Sequence, residues 1–260
     1  MDAVKPSPLP FLVAVVVLVG LWGLLHWLRL WSPFLFPGPL DVARSLYHLA
    51  ADGQLWPALR VTFWRLGSSY FLALALGAFI AAGLVLVPGL RGAVQPFLLA
   101  LQSLPGVAWV PVAVLWFSYQ EAGILFVTII GSVFSVAMGF ADAFATVPPL
   151  YHKAARNMGV AGSNLLLRVT VPAATPHLVT AAKVGWSFAW RSLIGAEIIF
   201  VSLGGLGFLL NQGRDFFDVS QVFATMIVLI AIGVVIERVV FARVERVVRI
   251  RWGLAYNGAG

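Results

Sequence analysis

Six stretches of about twenty residues run through this chain with few charges in any of them: Pro10–Trp31, Trp64–Val87, Pro96–Phe117, Ala122–Phe144, Pro176–Val201 and Val222–Phe241. A hydrocarbon core about 30 Å thick asks for about 20 apolar residues per helix, so each stretch is long enough to cross a bilayer. Across 260 residues, 61% are hydrophobic and 10% charged, whereas soluble domains carry about a quarter charged. Backbone groups in lipid must be satisfied within helices or closed barrels. No run of alternating polarity suggests strands, so the sequence predicts an all-α membrane protein with one domain over residues 1–260. The first stretch exceeds the apolar core of a signal peptide, and Trp31-Ser32-Pro33 follows it rather than a small-residue cleavage site. It is expected to be retained. The chain has no cysteine, which excludes disulfides and thiolate metal sites.

Six spans put both termini on one side. With that side inside, ten basic residues are cytoplasmic: Lys5, Arg91, Lys153, Arg156, Arg168, Arg238, Arg243, Arg246, Arg249 and Arg251. Four lie outside or at outer span edges: Arg29, Arg44, Arg60 and Arg214. The positive-inside rule therefore predicts cytoplasmic termini. It also explains the net charge of +7 without nucleic acid, because the cations sit at span ends. The tail RVVFARVERVVRIRW reads as a helix whose arginines snorkel to the lipid surface.

Small residues recur every four positions at Ala73, Gly77 and Ala81, and again at Gly131, Ser135 and Gly139. This spacing lets helices approach closely in lipid. In the third stretch, Pro105 and Pro111 remove backbone donors and predict a broken helix facing the bundle interior or a pathway.

Between the fourth and fifth stretches lies a polar island, about Thr146 to Pro172, whose centre reads YHKAARNMGVAGSNLLLRVTVP. Thr146 is placed to cap a helix with Pro148 and Pro149 in its first turn, and Gly159 to end it in a left-handed conformation. Ser163 is placed to cap a second short helix, Asn164 to Thr170, closed by Pro172. Leu165, Leu166 and Val169 would hold this knob to the bundle, and Lys153 and Arg156 share one face.

Lys153-Ala154-Ala155, three residues, Gly159, nine residues, then Val169-Thr170-Val171-Pro172 resembles the EAA loop of permease subunits of binding-protein-dependent ABC importers. The family pattern begins with glutamate where this chain has Lys153. Leu101-Gln-Ser-Leu-Pro105-Gly-Val-Ala-Trp109-Val-Pro111, and Ala196-Glu197 ahead of Gly204-Gly205-Leu206-Gly207, are similar to the nitrate/sulfonate/taurine/bicarbonate branch. The resemblance spans roughly Leu40 to Trp252. It implies a type I importer permease fold with six transmembrane helices in the bacterial inner membrane. Lys153, Ala154, Ala155, Arg156, Gly159 and Pro172 would then belong to coupling helices docked on an ATPase. Two cytoplasmic ATPase subunits would bind ATP and Mg, a second permease chain would complete a homodimer, and an external binding protein would deliver substrate. This chain has no GxxxxGK[ST] phosphate loop of its own.

Charges within spans are costly and are functional candidates. Arg191, beside Trp190, either faces an anionic substrate in the pathway or pairs with an acid or with helix carbonyls and staples the bundle. Glu197 is either a pathway residue or an anchor for the outer end of its helix and the glycine-rich turn. Lys183 is read as snorkelling, Asp142 as orienting the island, and His152 and His177 as interface residues. Trp109, Trp116 and Phe134 are candidate apolar gates or core residues. A stand-alone secondary transporter or channel is the alternative, but few central ionisable groups are available to couple ions. No paired carboxylates, clustered histidines or Ser/His/Asp arrangement supports a membrane enzyme.

Overall fold

The computed structural model describes residues 9–87, 89–200 and 204–253. Lys5 and the expected span end at Val201 lie outside them. The described residues form helices and turns, without strands. In order, the helices are α1 (Leu9–Trp27), α2 (Pro39–Ala51), α3 (Leu55–Leu86), α4 (Leu90–Ser103), α5 (Val110–Phe117), α6 (Glu121–Ala145), α7 (Pro149–Asn157), α8 (Gly162–Leu165), α9 (Val171–Ile199), α10 (Leu206–Asp215), α11 (Val219–Val235) and α12 (Ala242–Arg251).

Four helical rods are long and apolar enough to span a bilayer: Leu55–Leu86, Glu121–Ala145, Gly162–Ile199 and Val219–Arg251. The pair α4 and Gly106–Phe117, bent by 94°, makes a fifth candidate. α1 is apolar but shorter, and its side chains are largely exposed on this chain. The bend falls at Pro105, as the missing N–H dictates. Pro111 makes no second break, because it sits in the first turn of α5, where its N–H would be unpaired in any case.

α6 is the central rod, with α3 and α9 packed along it. The small-residue stripes lie at these seams. A Cβ at Gly77 would come within 2.6 Å of Val136, and one at Gly139 within 2.7 Å of Ala181. Ala73 and Ala81 are fully buried. Small side chains thus set the α3–α6 and α6–α9 approach, and dispersion along the close seam replaces a hydrophobic drive that lipid does not supply. Ser135 is buried between them.

Several local expectations are corrected. The helix that carries the second stretch begins at Leu55 rather than Trp64, because Arg60 and Thr62 interrupt the hydropathy but not the helix. Thr146 caps no helix start; its hydroxyl bonds back to the Ala143 carbonyl at 2.7 Å, and Pro148 opens α7. Pro172 does not close a second helix of the island. A π turn over Leu166–Thr170 carries α8 directly into α9, with the Val171 N–H reaching the Leu166 carbonyl. The wider turn changes the register, and Pro172 falls in the first turn of α9. Two helices were not foreseen: α2, and α10 behind the glycine-rich turn. Both lie with α3 and α11 around Val42, Leu55, Leu206, Leu209 and Ala224.

Candidate functional site

The polar island forms a knob at one end of the bundle. α7 ends in a Schellman motif: the Gly159 N–H donates to the Arg156 carbonyl at 2.9 Å and the Val160 N–H to the Ala155 carbonyl at 3.0 Å. That closure needs the left-handed conformation, which Gly159 adopts with φ of +78°. Ala155 is buried beneath the helix, while Lys153, Ala154, Arg156 and Gly159 are exposed. The knob is fastened from below. Val147 and Leu166 join Leu84, Leu98, Phe144 and Ala174 in one buried cluster, with Phe134 packed against it. His152 meets the Thr170 hydroxyl at 3.1 Å, tying α7 to the π turn. On the same end, Arg91 at the start of α4 pairs with Asp142 near the end of α6 at 2.5 Å.

From this knob, helix runs without interruption from Gly162 to Ile199. At about 1.5 Å per residue its 38 residues reach roughly 57 Å. Arg191 lies eight residues before its far end, about 12 Å in. Its side chain is exposed; Nε donates to the Ser187 carbonyl at 3.0 Å, and the guanidinium lies 4.9 Å from the centre of the Phe188 ring. No carboxylate pairs with it among the described residues. Trp190 is half-buried and stacked on Trp186, with ring centres 6.0 Å apart. Both line, with Arg191, Gly195, Leu229 and Gly233, a mainly apolar groove of about 540 Å³ between α9 and α11. The broken span presses on α9 at the same level: a Cβ at Gly106 would strike Ser192, and one at Gly195 would strike Val107. Trp109 packs against a buried cluster that includes Val110, Ile124, Trp186 and Leu193. Phe134 stands with the knob-end cluster instead, so the structure does not bring the three aromatic candidates together.

The other end of the bundle is closed by a buried polar network. Arg65 of α3, 1% exposed, donates through Nε and Nη2 to the two oxygens of Glu121 at 2.7 Å each. Its Nη1 donates to Glu197 and to the Gly204 carbonyl, both at 2.9 Å. Glu197 is fully buried and also accepts from the Thr62 hydroxyl and, at 3.0 Å, from the Gly207 N–H. Thr62 in turn accepts from the Leu206 N–H at 2.9 Å. Every partner sits at a place the backbone fixes: Glu121 in the first turn of α6, Glu197 in the last turn of α9, and Gly204 and Gly205 in left-handed conformations opening α10. A Cβ on Gly205 or Gly207 would overlap Glu197. These glycines let the turn close over the carboxylate.

Residues 73–249 match the family described as binding-protein-dependent transport system inner membrane component. The chain belongs to this family. Among its permeases, the taurine transport system permease protein TauC of Escherichia coli is 27% identical over 228 residues, covering 86% of this chain and 82% of its own. The bicarbonate transport system permease protein CmpB of Synechococcus elongatus is 26% identical, covering 86% and 87%. The putative aliphatic sulfonates transport permease protein SsuC of Bacillus subtilis is 24% identical, covering 95% and 88%. The fold is that of a permease chain in the inward-facing MetNI methionine ABC transporter, with a TM-score of 0.64, 20% identity, and coverage of 75% of this chain and 95% of that one.

The protein is therefore a membrane-embedded permease subunit of the ABC importer class, and the matched region contains both the knob and α9. Its network partners Arg65, Thr62 and Glu121 were not singled out from sequence. Arg65 was visible as a cation inside a span, and an intramembrane cation needs an acid within reach. Nothing in the linear order points to Glu121, 56 residues on and at the edge of a span.

Proposed function

We propose that this chain forms half of the translocation pathway of an ATP-driven importer for a small anion of the taurine, sulfonate, nitrate or bicarbonate type. The observation that carries the reading is the single helical rod from Gly162 to Ile199. It begins in the knob and carries Arg191 deep in the membrane. In this reading the knob is cytoplasmic and docks on one of two ATPase subunits, with Lys153, Ala154, Arg156 and Gly159 on the docking face. A second permease chain, identical in the simplest assembly, closes the pathway, and an external binding protein delivers substrate to the Arg65 end.

A rod transmits displacement where a loop would absorb it. ATP binding brings the ATPases together, and the docked end of α9 moves with them. The bundles then shift between inward- and outward-open states by differential binding. An exposed guanidinium in a span is expensive against lipid, and it suits an aqueous path crossed by an anion. The named relatives transport taurine, aliphatic sulfonates and bicarbonate, which supports that substrate class.

Two variants in a reconstituted complex test the reading, with taurine, an alkanesulfonate, nitrate and bicarbonate as probes. Gly159→Val adds a β-branched residue at positive φ, where no neighbour lies within 4 Å of the new Cβ. It should leave the bundle intact, distort the docking face, and cut uptake per ATP hydrolysed at least about fivefold, about 1 kcal/mol of coupling. Arg191→Gln should lower anion uptake about tenfold or more with ATP hydrolysis retained. Parent-level anion uptake by a folded Arg191→Gln complex would remove the anion assignment.

A further inference from the structure

Pro172 and Pro176 stand four apart at the start of α9. In an α-helix the carbonyl of one residue accepts the N–H four positions on. Pro176 has none, so the Pro172 carbonyl is left without its intrahelical donor. The indole N–H of Trp252, 80 positions later, fills that place at 2.8 Å.

The same two segments meet again along α9. Lys183 reaches Glu237 at 3.1 Å and Glu245 at 3.9 Å, so it is paired rather than simply snorkelling. On a straight α-helix, positions 237 and 245 would point about 80° apart. The π turn at Ile236–Phe241 adds one residue to a turn and brings them to within about 20°. Phe241, Glu245, Val248, Arg249 and Trp252 then share one stripe of α12, at the three- and four-residue spacing of a helix face. Phe241 is buried against Trp186, with ring centres 5.8 Å apart. Arg243, Arg246 and Ile250 are exposed. Between the Lys183 and Trp252 contacts lies a polar cleft of about 270 Å³ lined by Pro176, His177, Thr180, Glu245, Val248 and Arg249.

We infer that the C-terminal segment 236–252 is a clasp on the coupling end of α9, with Trp252, Lys183, Glu237 and Glu245 as positioning residues that make the last span follow the knob. The inference rests on the proposed docking of the knob, but the clasp itself is a property of this chain. Contacts at the two edges of a wet cleft hold two rods in register without the packing of a core. The donor missing at Pro176 favours the hold, since the Pro172 carbonyl lacks the backbone partner that a regular helix would supply.

The chain has no cysteine, so a spin-label pair at Val184→Cys and Val247→Cys reports the α9–α12 distance without background from the permease. Both positions are exposed and outside the clasp contacts. In the full complex with a cysteine-free ATPase, the parent should give one narrow distance, unchanged within about 2 Å between nucleotide-free and ATP-trapped states. Trp252→Phe with Lys183→Gln should broaden it or shift it by 5 Å or more between those states. A parent distance that itself changes by 5 Å, or a double variant that behaves like the parent, overturns the clasp. Adding Pro176→Ala to Trp252→Phe restores the backbone donor. If that alone returns the narrow distance, Trp252 merely fills a carbonyl and the clasp is likewise overturned. Docking is read separately by retention of the ATPase through purification. If the ATPase is lost, the nucleotide-free distance in the permease still decides the clasp.

Discussion

Removing the Arg65 guanidinium while keeping its bulk, as in Arg65→Met, should be among the most damaging single changes in this protein. Arg65 is 1% exposed and Glu197 fully buried, so water cannot replace the lost charge at Glu197. The carboxylate would retain the Thr62 hydroxyl and the Gly207 N–H, but no cation among the described residues. Breaking a buried pair by deleting one partner costs about 3–5 kcal/mol. For a chain of this size that corresponds to a fall of roughly 6–20 °C in unfolding temperature. Glu197→Gln should cost less, about 1–3 kcal/mol, because the amide keeps a hydrogen-bonding oxygen and Arg65 keeps Glu121. Glu121 is 46% exposed, and Glu121→Gln should cost about 1 kcal/mol or less after solvent screening. The double variant Arg65→Met/Glu197→Gln should fall short of the sum by at least about 1 kcal/mol, because each change removes the same contact. Arg65→Lys should not rescue, since one ammonium cannot serve two carboxylates and a carbonyl in the fork geometry observed. Thermal unfolding of the purified complex in one detergent measures all five variants. An additive double variant, or an Arg65→Met protein as stable as the parent, would refute the argument that this network holds the N-terminal part of α3 and the first turn of α6 to the end of α9.

Two further changes probe how closely the backbone approaches itself. Gly205→Ala should destabilise about as much as Arg65→Met, because φ of +101° disfavours a Cβ and the added carbon would overlap the Glu197 carboxylate; a shift of under 2 °C in unfolding temperature would count against it. Gly139→Val forces its side chain onto Ala181 at the α6–α9 seam and should cost about 1–3 kcal/mol by overpacking. Combining it with Ala181→Gly should recover part of that loss, and no recovery would show that the seam does not set the spacing.

Hydropathy located the rods well because lipid imposes a length and a polarity that leave few alternatives. The α6 ends fall within a residue of those expected. Hydropathy misses helix where polar residues are buried within it, as at the start of α3, and proline is not by itself a terminator. Proline ends a helix only if nothing else supplies the lost bond. At Pro172 a π turn changes the register, and at Pro176 a side chain from the far end of the chain takes the carbonyl. Neither remedy is local enough to be read from a window of sequence. The knob was legible because Gly159 has one conformational use there, and that use is observed. The Arg65 network was not, since a four-way meeting of Thr62, Glu121, Glu197 and the glycine turn is a fact of topology rather than of spacing.

Arg65 and Arg191 sharpen each other's meaning. Both are guanidiniums in membrane-length helices, and both face the same cost of leaving water. Arg65 meets it inside the chain, with two carboxylates, a carbonyl and complete burial. A fold able to build that solution once was not forced to leave Arg191 exposed, with one bond to its own helix and the edge of an apolar groove. Lipid is a poor partner for that group; of the two staples expected, the one to a helix carbonyl is formed, at Ser187, and one to a carboxylate is not among the described residues. Under the proposed function the balance comes from outside the chain: water, a passing anion, or an acceptor on the second permease. In the proposed assembly the first two sources would place Arg191 in the pathway, and the third where the two permease chains meet. In each case its side chain lies on the face of α9 that the isolated permease leaves unfinished.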